Sequence, residues 1–176
     1  MMTEAKVSVT GNATPDLLDT LVGIEHGSPL SDVRAQRSDI TRFIQGNYNA
    51  LLEPEDEAGV SRLERGLIAF RVAILEDSVP LTEHYRAYLA QLDAPAEIVT
   101  AAERDSLGNP LSPRTIALLT HVDRLTNRPD TAAQAHLTEL QTHGLSAANI
   151  VTISQLIAFL SFQVRAIAGL QLLAEG

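Results

Sequence analysis

Residues 145–174 form the most apolar stretch of the chain and constrain its fold more than any other segment. Gly144 ends the preceding element, Ser146 can cap a new helix, and no proline interrupts residues 147–174. At about 1.5 Å per residue, such a helix is a rod of roughly 43 Å. A helix this apolar predicts burial against several helices or against a neighbouring subunit. Its apolar residues occupy two adjoining faces: Ile150, Ile153, Ile157, Leu160, Val164 and Ile167 on one, and Val151, Ala158, Phe162 and Ala166 on the other.

The same stretch is not predicted to span a membrane, because polar side chains interrupt it too often. Arg165 is its one charged residue before Glu175. The polar residues are Asn149, Thr152, Ser154, Gln155, Ser161, Gln163, Arg165 and Gln171.

Charge and composition narrow the classes of partner. The chain has 13 basic and 22 acidic residues, for a net charge of −9, and such a surface repels nucleic acid and anionic lipid. We therefore predict neither a nucleic-acid nor a membrane partner. Aromatic residues make up 4% of the chain and tryptophan is absent, so the core must be built from aliphatic side chains.

The sequence contains no cysteine, which excludes disulfides, thiolate nucleophiles, iron–sulfur clusters and thiolate zinc sites. The histidines show no metal-ligand spacing, so we predict no metal and no cofactor. Residues 1–13 are predicted to be a flexible leader without the apolar core of a signal peptide, which indicates a cytoplasmic protein. Residues 14–176 are predicted to form one domain.

Apolar periodicity and capping residues predict an all-α chain, because no alternating run is long enough for a strand. Ser31 or Asp32 would cap a long helix with an apolar stripe of Val33, Ile40, Phe43, Ile44 and Leu51. Asp77 or Ser78 would cap a helix with Pro80 in its first turn, and Asp130 would cap a later one. The predicted helices span 15–24, 31–52, 61–75, 77–92, 95–104, 112–125, 130–142 and 145–174.

Two regions together resemble the carboxymuconolactone decarboxylase and alkyl-hydroperoxidase-D superfamily, particularly its peroxidase-related branch. The first is Leu-Glu-Arg-Gly-Leu-Ile-Ala at 63–69, running on to Glu-His-Tyr at 83–85. The second combines residues 117–125, Gly-Leu-Ser at 144–146 and Ser-Gln-Leu-Ile-Ala-Phe at 154–159. The resemblance implies a single-domain, multi-helix bundle of the alkyl-hydroperoxidase-D-like type with a long C-terminal helix. It also implies a homo-oligomer, at least a dimer, assembled through helices that include 146–174.

The redox branch of that superfamily carries a glutamate, a Cys-x-x-Cys motif and a histidine four residues after the second cysteine. When the motif is anchored on His84, Asp77 and Pro80 stand at the cysteine positions and Arg65 at the glutamate. A shift by one residue instead places Ser78 and Leu81 at the cysteines, Tyr85 at the histidine and Gly66 at the glutamate. Neither register has sulfur, so dithiol reduction of peroxides is excluded.

His84 is the strongest candidate for acid–base chemistry, because Glu76, Asp77 and Glu83 lie nearby in sequence. Asp77 and Glu64 would be its catalytic partners. The alternative is structural: His84 makes a local hydrogen bond and Asp77 caps its helix.

Arg71 and Arg165 are the candidate anchors for a substrate carboxylate, since guanidinium groups bind carboxylates in a bidentate manner. The structural alternative pairs Arg165 with Glu64 or Glu76.

The sequence supports three hypotheses. The chain is a non-redox structural or small-molecule-binding oligomeric subunit, with a cysteine-bearing paralogue as an additional partner. Alternatively, it is a cysteine-free lyase or decarboxylase-like enzyme that acts on a small carboxylate with His84 as base. In the third hypothesis, the chain is a peroxidase by name only, because the name comes from its superfamily. An enzyme requires His84 in a closed cavity beside Arg71 or Arg165, so whether the chain is an enzyme depends on that geometry.

Overall fold

The computed structural model describes residues 16–174, which form nine α-helices, one 3-10 turn and no strand. The all-α prediction is therefore confirmed. The leader predicted at 1–13 lies outside the described residues, and the single domain over 14–176 stays a prediction. The elements are α1 Leu17–Val22, α2 Pro29–Ala35, α3 Ser38–Leu52, α4 Arg62–Leu75, α5 Val79–Gln91, α6 Ala96–Glu103, α7 Pro113–Asn127, the 3-10 turn Pro129–Thr131, α8 Gln134–Thr142 and α9 Ala147–Ala174.

Helix α4 is the central element of the fold. Every residue from Arg65 to Ala73 is buried, and the helix packs against α5, α7 and α9. Gly66 permits the close contact with α5, because a Cβ there would lie 2.9 Å from Leu89 Cδ2. One continuous hydrophobic core surrounds α4 and receives the inner faces of α5, α7 and α9.

Arg65, one of two buried arginines in α4, joins this helix to the segment that precedes it. The Arg65 guanidinium donates to the carbonyls of Leu51 at 2.8 Å, Glu57 at 3.0 Å and Val60 at 2.8 Å. Because these carbonyls belong to the end of α3 and the loop after it, Arg65 fixes how the chain enters α4. A buried guanidinium is tolerated only when its donors are satisfied in this way.

The long helix predicted over 31–52 is wrong, because the chain breaks between α2 and α3. Arg37 has φ −125° and ψ 51°, outside the helical region, so the two helices do not share one continuous stripe. Val33, Ile40 and Phe43 are consequently exposed, whereas Ile44, Tyr48 and Leu52 form the buried face of α3. The predicted cap Asp130 lies instead in the 3-10 turn, and α8 begins at Gln134.

Helix α9 is about 42 Å long at 1.5 Å per residue. Ser146 caps it as predicted: its hydroxyl accepts from the Asn149 amide at 3.2 Å, and Asn149 Oδ1 accepts from the Ser146 amide at 2.9 Å. One face enters the core, but Val151 and Phe162 on the opposite face are exposed. By length and composition alone, α9 could also cross a membrane.

Substitution of Gly66 by Ala should lower the free energy of unfolding by about 1–3 kcal/mol, because the added methyl overpacks the α4–α5 contact. The matched control is Gly46→Ala in α3, where an added Cβ meets no atom within 4 Å. That variant should be up to about 1 kcal/mol more stable, since alanine is the better helix former. Urea unfolding of both proteins measures the difference, and equal stability of Gly66→Ala and the parent chain would contradict the packing argument.

Candidate functional site

Glu64 lies at the start of α4, where both of its carboxylate oxygens accept hydrogen bonds. Its Oε2 accepts from the Ser61 amide at 2.9 Å, while Ser61 Oγ accepts from the Glu64 amide at 3.2 Å, which completes a capping box. Its Oε1 accepts from Arg114 Nε of α7 at 2.6 Å. Both carboxylate oxygens therefore have partners, and these contacts support a structural role.

Asp77 lies in the turn between α4 and α5, exposed and with a left-handed φ of 52°. Its own amide donates to Ile74, and the next amide, of Ser78, donates to Ala73 at 2.9 Å, which closes the end of α4. Ser78 rather than Asp77 occupies the N-cap of α5, and its hydroxyl makes no capping hydrogen bond. Asp77 thus lies on the surface beside α5 without capping it.

His84 is half-buried in α5 and hydrogen-bonds to a tyrosine. Its Nε2 lies 3.2 Å from Tyr48 Oη of α3, and which atom donates depends on the imidazole tautomer. Its ring also meets Tyr85 edge-on, with the ring centroids 4.9 Å apart. His84 therefore faces inward, toward tyrosines rather than carboxylates.

Tyr85 extends this contact into the core. Its hydroxyl donates to Gln163 Oε1 of α9 at 2.8 Å, and both side chains are fully buried. Gln163 Nε2 has no hydrogen-bond partner among the described residues. Tyr48, His84, Tyr85 and Gln163 therefore form one polar cluster that joins α3, α5 and α9, which we call the His84 cluster.

Tyr48 and Gln163 were not among the predicted site residues. Tyr48 lies four residues after Ile44 and four before Leu52, which is the spacing of the buried stripe of α3. Gln163 is a polar residue at a core position of α9. Those two positional signals could have identified the cluster.

The predicted substrate anchor Arg71 is held within the core. Its Nε and Nη2 bond both carboxylate oxygens of Asp123, at 2.6 and 2.8 Å, and its Nη1 donates to the carbonyls of Ala102 and Arg104. Because α6 and α7 occupy its donors, the contacts of Arg71 support a structural role. Its role in substrate binding stays a prediction.

Arg165 lies near Glu76, as its structural alternative proposed. Its Nη1 donates to the Ser161 carbonyl at 2.6 Å and lies 3.5 Å from Glu76 Oε2. The Ser161 hydroxyl bonds the other oxygen of Glu76, so the three residues connect the end of α4 with α9. The Arg165 side chain is nevertheless 72% exposed.

None of the five predicted site residues hydrogen-bonds to another within residues 16–174. None of Glu64, Arg71 and Arg165 hydrogen-bonds to His84, and each is bonded to a different group. His84 points inward without a cationic anchor. No group of three metal-ligating side chains occurs within residues 16–174.

Burial determines the protonation of this region. It lowers the pKa of the His84 imidazole and raises the pKa of the Tyr48 hydroxyl, so both groups favour their neutral forms. A neutral imidazole bonded to a neutral phenol can accept or relay a proton near neutral pH. A second buried imidazole, His121 of α7, has no hydrogen-bond partner on either ring nitrogen among the described residues.

A groove of about 640 Å³ lies between α3 and α9 and is lined without charge. Its walls are aliphatic and aromatic, with Asn47 and Gln155 as the polar side chains. We refer to it as the α3–α9 groove. It is lined by Ile40, Phe43, Ile44, Asn47, Ala50, Leu51, Gln155, Ala158, Phe159 and Phe162.

Two crystal structures of uncharacterised peroxidase-related proteins share the arrangement of these helices. The protein from Silicibacter sp. TM1040 superposes with a TM-score of 0.70 at 21% identity, over 80% of this chain and 72% of that one. The protein from Ralstonia eutropha JMP134, described as an alkylhydroperoxidase AhpD core, gives a TM-score of 0.68 at 19% identity, over 76% and 70% of the two chains. The chain has the alkylhydroperoxidase-D-like fold. No protein-family model and no curated protein sequence matches it.

This fold assignment confirms the predicted architecture. It does not specify the chemistry, which depends on the side chains present. The two registers predicted for the lost dithiol fall on the α4–α5 turn and the first turn of α5. In one, Asp77 is exposed; in the other, Ser78 and Leu81 are buried. Neither position supplies a thiol, so the alkylhydroperoxidase-D-like fold occurs here without dithiol chemistry.

The buried histidines should make the protein less stable in mild acid. Burial, Arg124 and His136 lower the pKa of His121, and burial lowers the pKa of His84. The unfolded chain therefore takes up protons first as the pH falls below about 6.5, so stability is full above that pH and declines below it. Urea unfolding at pH 7.5 and 5.5 measures the loss.

Replacement of His121 by Leu should reduce the loss of stability between these two pH values, since a neutral side chain cannot be protonated. His26→Gln, at an exposed position, is the matched control and should leave the pH dependence as it is. The same pH dependence in His121→Leu and the parent chain would show that His121 does not contribute.

Proposed function

We propose that the chain is a non-redox structural subunit that assembles with copies of itself through the exposed apolar surface of α3 and α9. The observation that carries this proposal is the uncharged α3–α9 groove, with its exposed aromatic rims. Phe43 is 58% exposed on one rim and Phe162 is 44% exposed on the other. A contiguous apolar surface of this kind is typical of an interaction site.

The composition and the polar contacts support a non-redox structural role. No thiol is available for dithiol chemistry, and Glu64, Arg71 and Arg165 are bonded to groups of the same chain. Because these contacts join helices to one another, they support a structural role. A cysteine-bearing paralogue with the same exposed surface would be a second partner.

A second copy fits this surface better than a nucleic acid does. The chain carries a net charge of −9, which opposes a phosphate backbone. The groove itself has no charge, so two copies can approach there without bringing their carboxylates together.

A membrane fits less well too, because the other face of α9 belongs to the core. Ile153, Leu156 and Leu160 are almost fully buried against the rest of the protein. A spanning α9 would withdraw these side chains from the core and expose their former neighbours, at about 25 cal/mol per Å² of apolar area.

A charge in the proposed interface should dissociate the assembly. Phe162→Glu would bury an unpaired carboxylate between subunits, at a cost of several kcal/mol. Light scattering coupled to size exclusion should give the parent chain at least twice the 19.0 kDa subunit mass and the variant the mass of one subunit. Val79→Glu, at another exposed apolar residue outside the groove, should leave the assembly intact.

A parent chain that runs as a stable 19.0 kDa species at micromolar concentration would overturn the proposal. So would a monomer that sediments with neutral lipid vesicles, since α9 would then bind lipid rather than a second copy.

The contact between Tyr48 and His84 favours a second candidate, a cysteine-free acid–base enzyme acting on a small carboxylate lactone. A neutral imidazole could take the substrate proton, with Tyr48 as its hydrogen-bond partner. Asp123 and two carbonyls occupy Arg71, so Arg165 is the predicted anchor that remains for the carboxylate, although it makes no hydrogen bond to His84.

Turnover of a γ-lactone dicarboxylate separates the two candidates. The enzyme candidate expects measurable turnover that falls at least about 100-fold in His84→Gln, in line with the loss of a general base. His26→Gln is the control, since His26 is exposed. The structural proposal expects no turnover above a heat-inactivated sample, and an equal rate in His84→Gln would remove His84 as the base.

A further inference from the structure

The exposed stripe of α9 has the spacing of a helix-pairing surface. Its residues succeed one another at alternating intervals of four and three, and all are exposed. That spacing averages 3.5 residues and keeps one stripe facing a partner helix. We call this stripe the α9 seam. It consists of Val151, Gln155, Ala158, Phe162, Arg165, Gly169 and Leu172.

We propose that α9 pairs antiparallel with α9 of a second copy, about a two-fold axis level with Leu160. This inference rests on the proposed self-association and specifies its geometry. In a two-fold interface, a residue away from the axis contacts a different residue of the other copy, and the reverse contact arises by symmetry. Leu160 itself points into the core, so the axis passes along the seam between Ala158 and Phe162.

The seam is complementary to itself in this register. Phe162 opposes Ala158 of the other copy, and Val151 opposes Gly169, so each of these apolar layers pairs a larger side chain with a small one. Alternation of large and small residues lets facing helices interdigitate without gaps. The polar layer pairs Arg165 with Gln155, which brings guanidinium donors to a carboxamide oxygen.

Neighbouring registers lack this match. A shift by one layer in one direction sets Ala158 against Gly169 and leaves a gap, and it sets Phe162 against Arg165. The opposite shift sets Phe162 against Val151 and leaves Gln155 facing Ala158. A parallel pair would set Arg165 against Arg165, which repel each other. The sequence of the seam therefore favours one antiparallel register.

Arg165 has acceptors in its own chain for one of its nitrogens, and its side chain is 72% exposed. Its Nη1 donates to the Ser161 carbonyl at 2.6 Å and lies 3.5 Å from Glu76 Oε2. Its Nε and Nη2 have no hydrogen bond among the described residues. A polar residue in an apolar seam favours the register in which its remaining donors find an acceptor. Gln155 of the second copy supplies that acceptor.

Gly169 gives a second, independent indication. It lies inside α9, where glycine is the least favourable residue other than proline. Nothing within the described chain requires it, because an added Cβ would meet no atom within 4 Å. Opposite Val151 of a second copy, the missing Cβ makes room for the larger side chain. Gly66, by contrast, is explained by its contact with Leu89 in the same chain.

The absence of native cysteine allows a direct test by disulfide cross-linking. The double variant Val151→Cys, Gly169→Cys should form covalent dimers on mild oxidation, seen on a non-reducing gel and reversed by dithiothreitol. The two thiols of one chain lie about 27 Å apart along α9, so they cannot bond to each other. Each single variant should remain monomeric on the gel, and a mixture of the two singles should give mixed covalent dimers.

The other possible results would overturn either this inference or the proposed function. Cross-linking of Val151→Cys alone would indicate a parallel pair and overturn the inference. Assembly in solution without cross-linking of the double variant would place the interface elsewhere and overturn the inference, while self-association stands. A monomeric parent chain in light scattering would remove the proposed function itself. Circular dichroism and size exclusion of the reduced variants confirm that they fold and assemble before oxidation.

Discussion

The fold depends on the burial of α4 together with two guanidinium groups. Arg65 and Arg71 are 3% and 2% exposed, and each is bonded to several groups outside its own helix. An unsatisfied charge at such positions would cost several kcal/mol, so the surrounding segments must present their carbonyls and the Asp123 carboxylate correctly. Arg65 thereby fixes the end of α3 and its loop, and Arg71 fixes α6 against α7. The helices around α4 are oriented by these bonds as well as by apolar packing.

The same requirement accounts for the contacts of two predicted site residues, Glu64 and Arg71. Glu64 closes the N-terminus of α4 and binds Arg114, while Arg71 connects α6 and α7. Ionisable groups that were predicted to act on a substrate are used to join helices. His84 differs from them, because it bonds Tyr48 and contacts Tyr85, so its environment is neutral.

One face of helix α9 packs into the core, and the opposite face is exposed. Its buried face supplies Ile153, Leu156 and Leu160 to the core, and it also receives the Tyr85 hydroxyl through Gln163. Its opposite face exposes Val151, Phe162 and Leu172 to solvent. Exposed apolar residues of this kind are typical of an interaction site, which supports the assembly that we propose. The assembly we propose therefore uses the helix that also completes the core.

The sequence by itself determined the helical class, the positions of most helices and the absence of thiol chemistry. Periodic apolar residues, the Ser146 cap and the zero cysteine count are local properties, and each can be recognised without knowledge of tertiary packing. It did not determine that α4 rather than α9 is central, because Arg65 and Arg71 gave α4 the pattern of a partly exposed helix. Tertiary structure decided this, since a buried guanidinium becomes acceptable only when distant segments bring their acceptors to it. The structure also shows that the predicted 31–52 helix breaks at Arg37, and its tertiary packing brings Tyr48 to His84 across 36 residues of sequence. Because of that separation, no local pattern could show that Tyr48 lies beside His84.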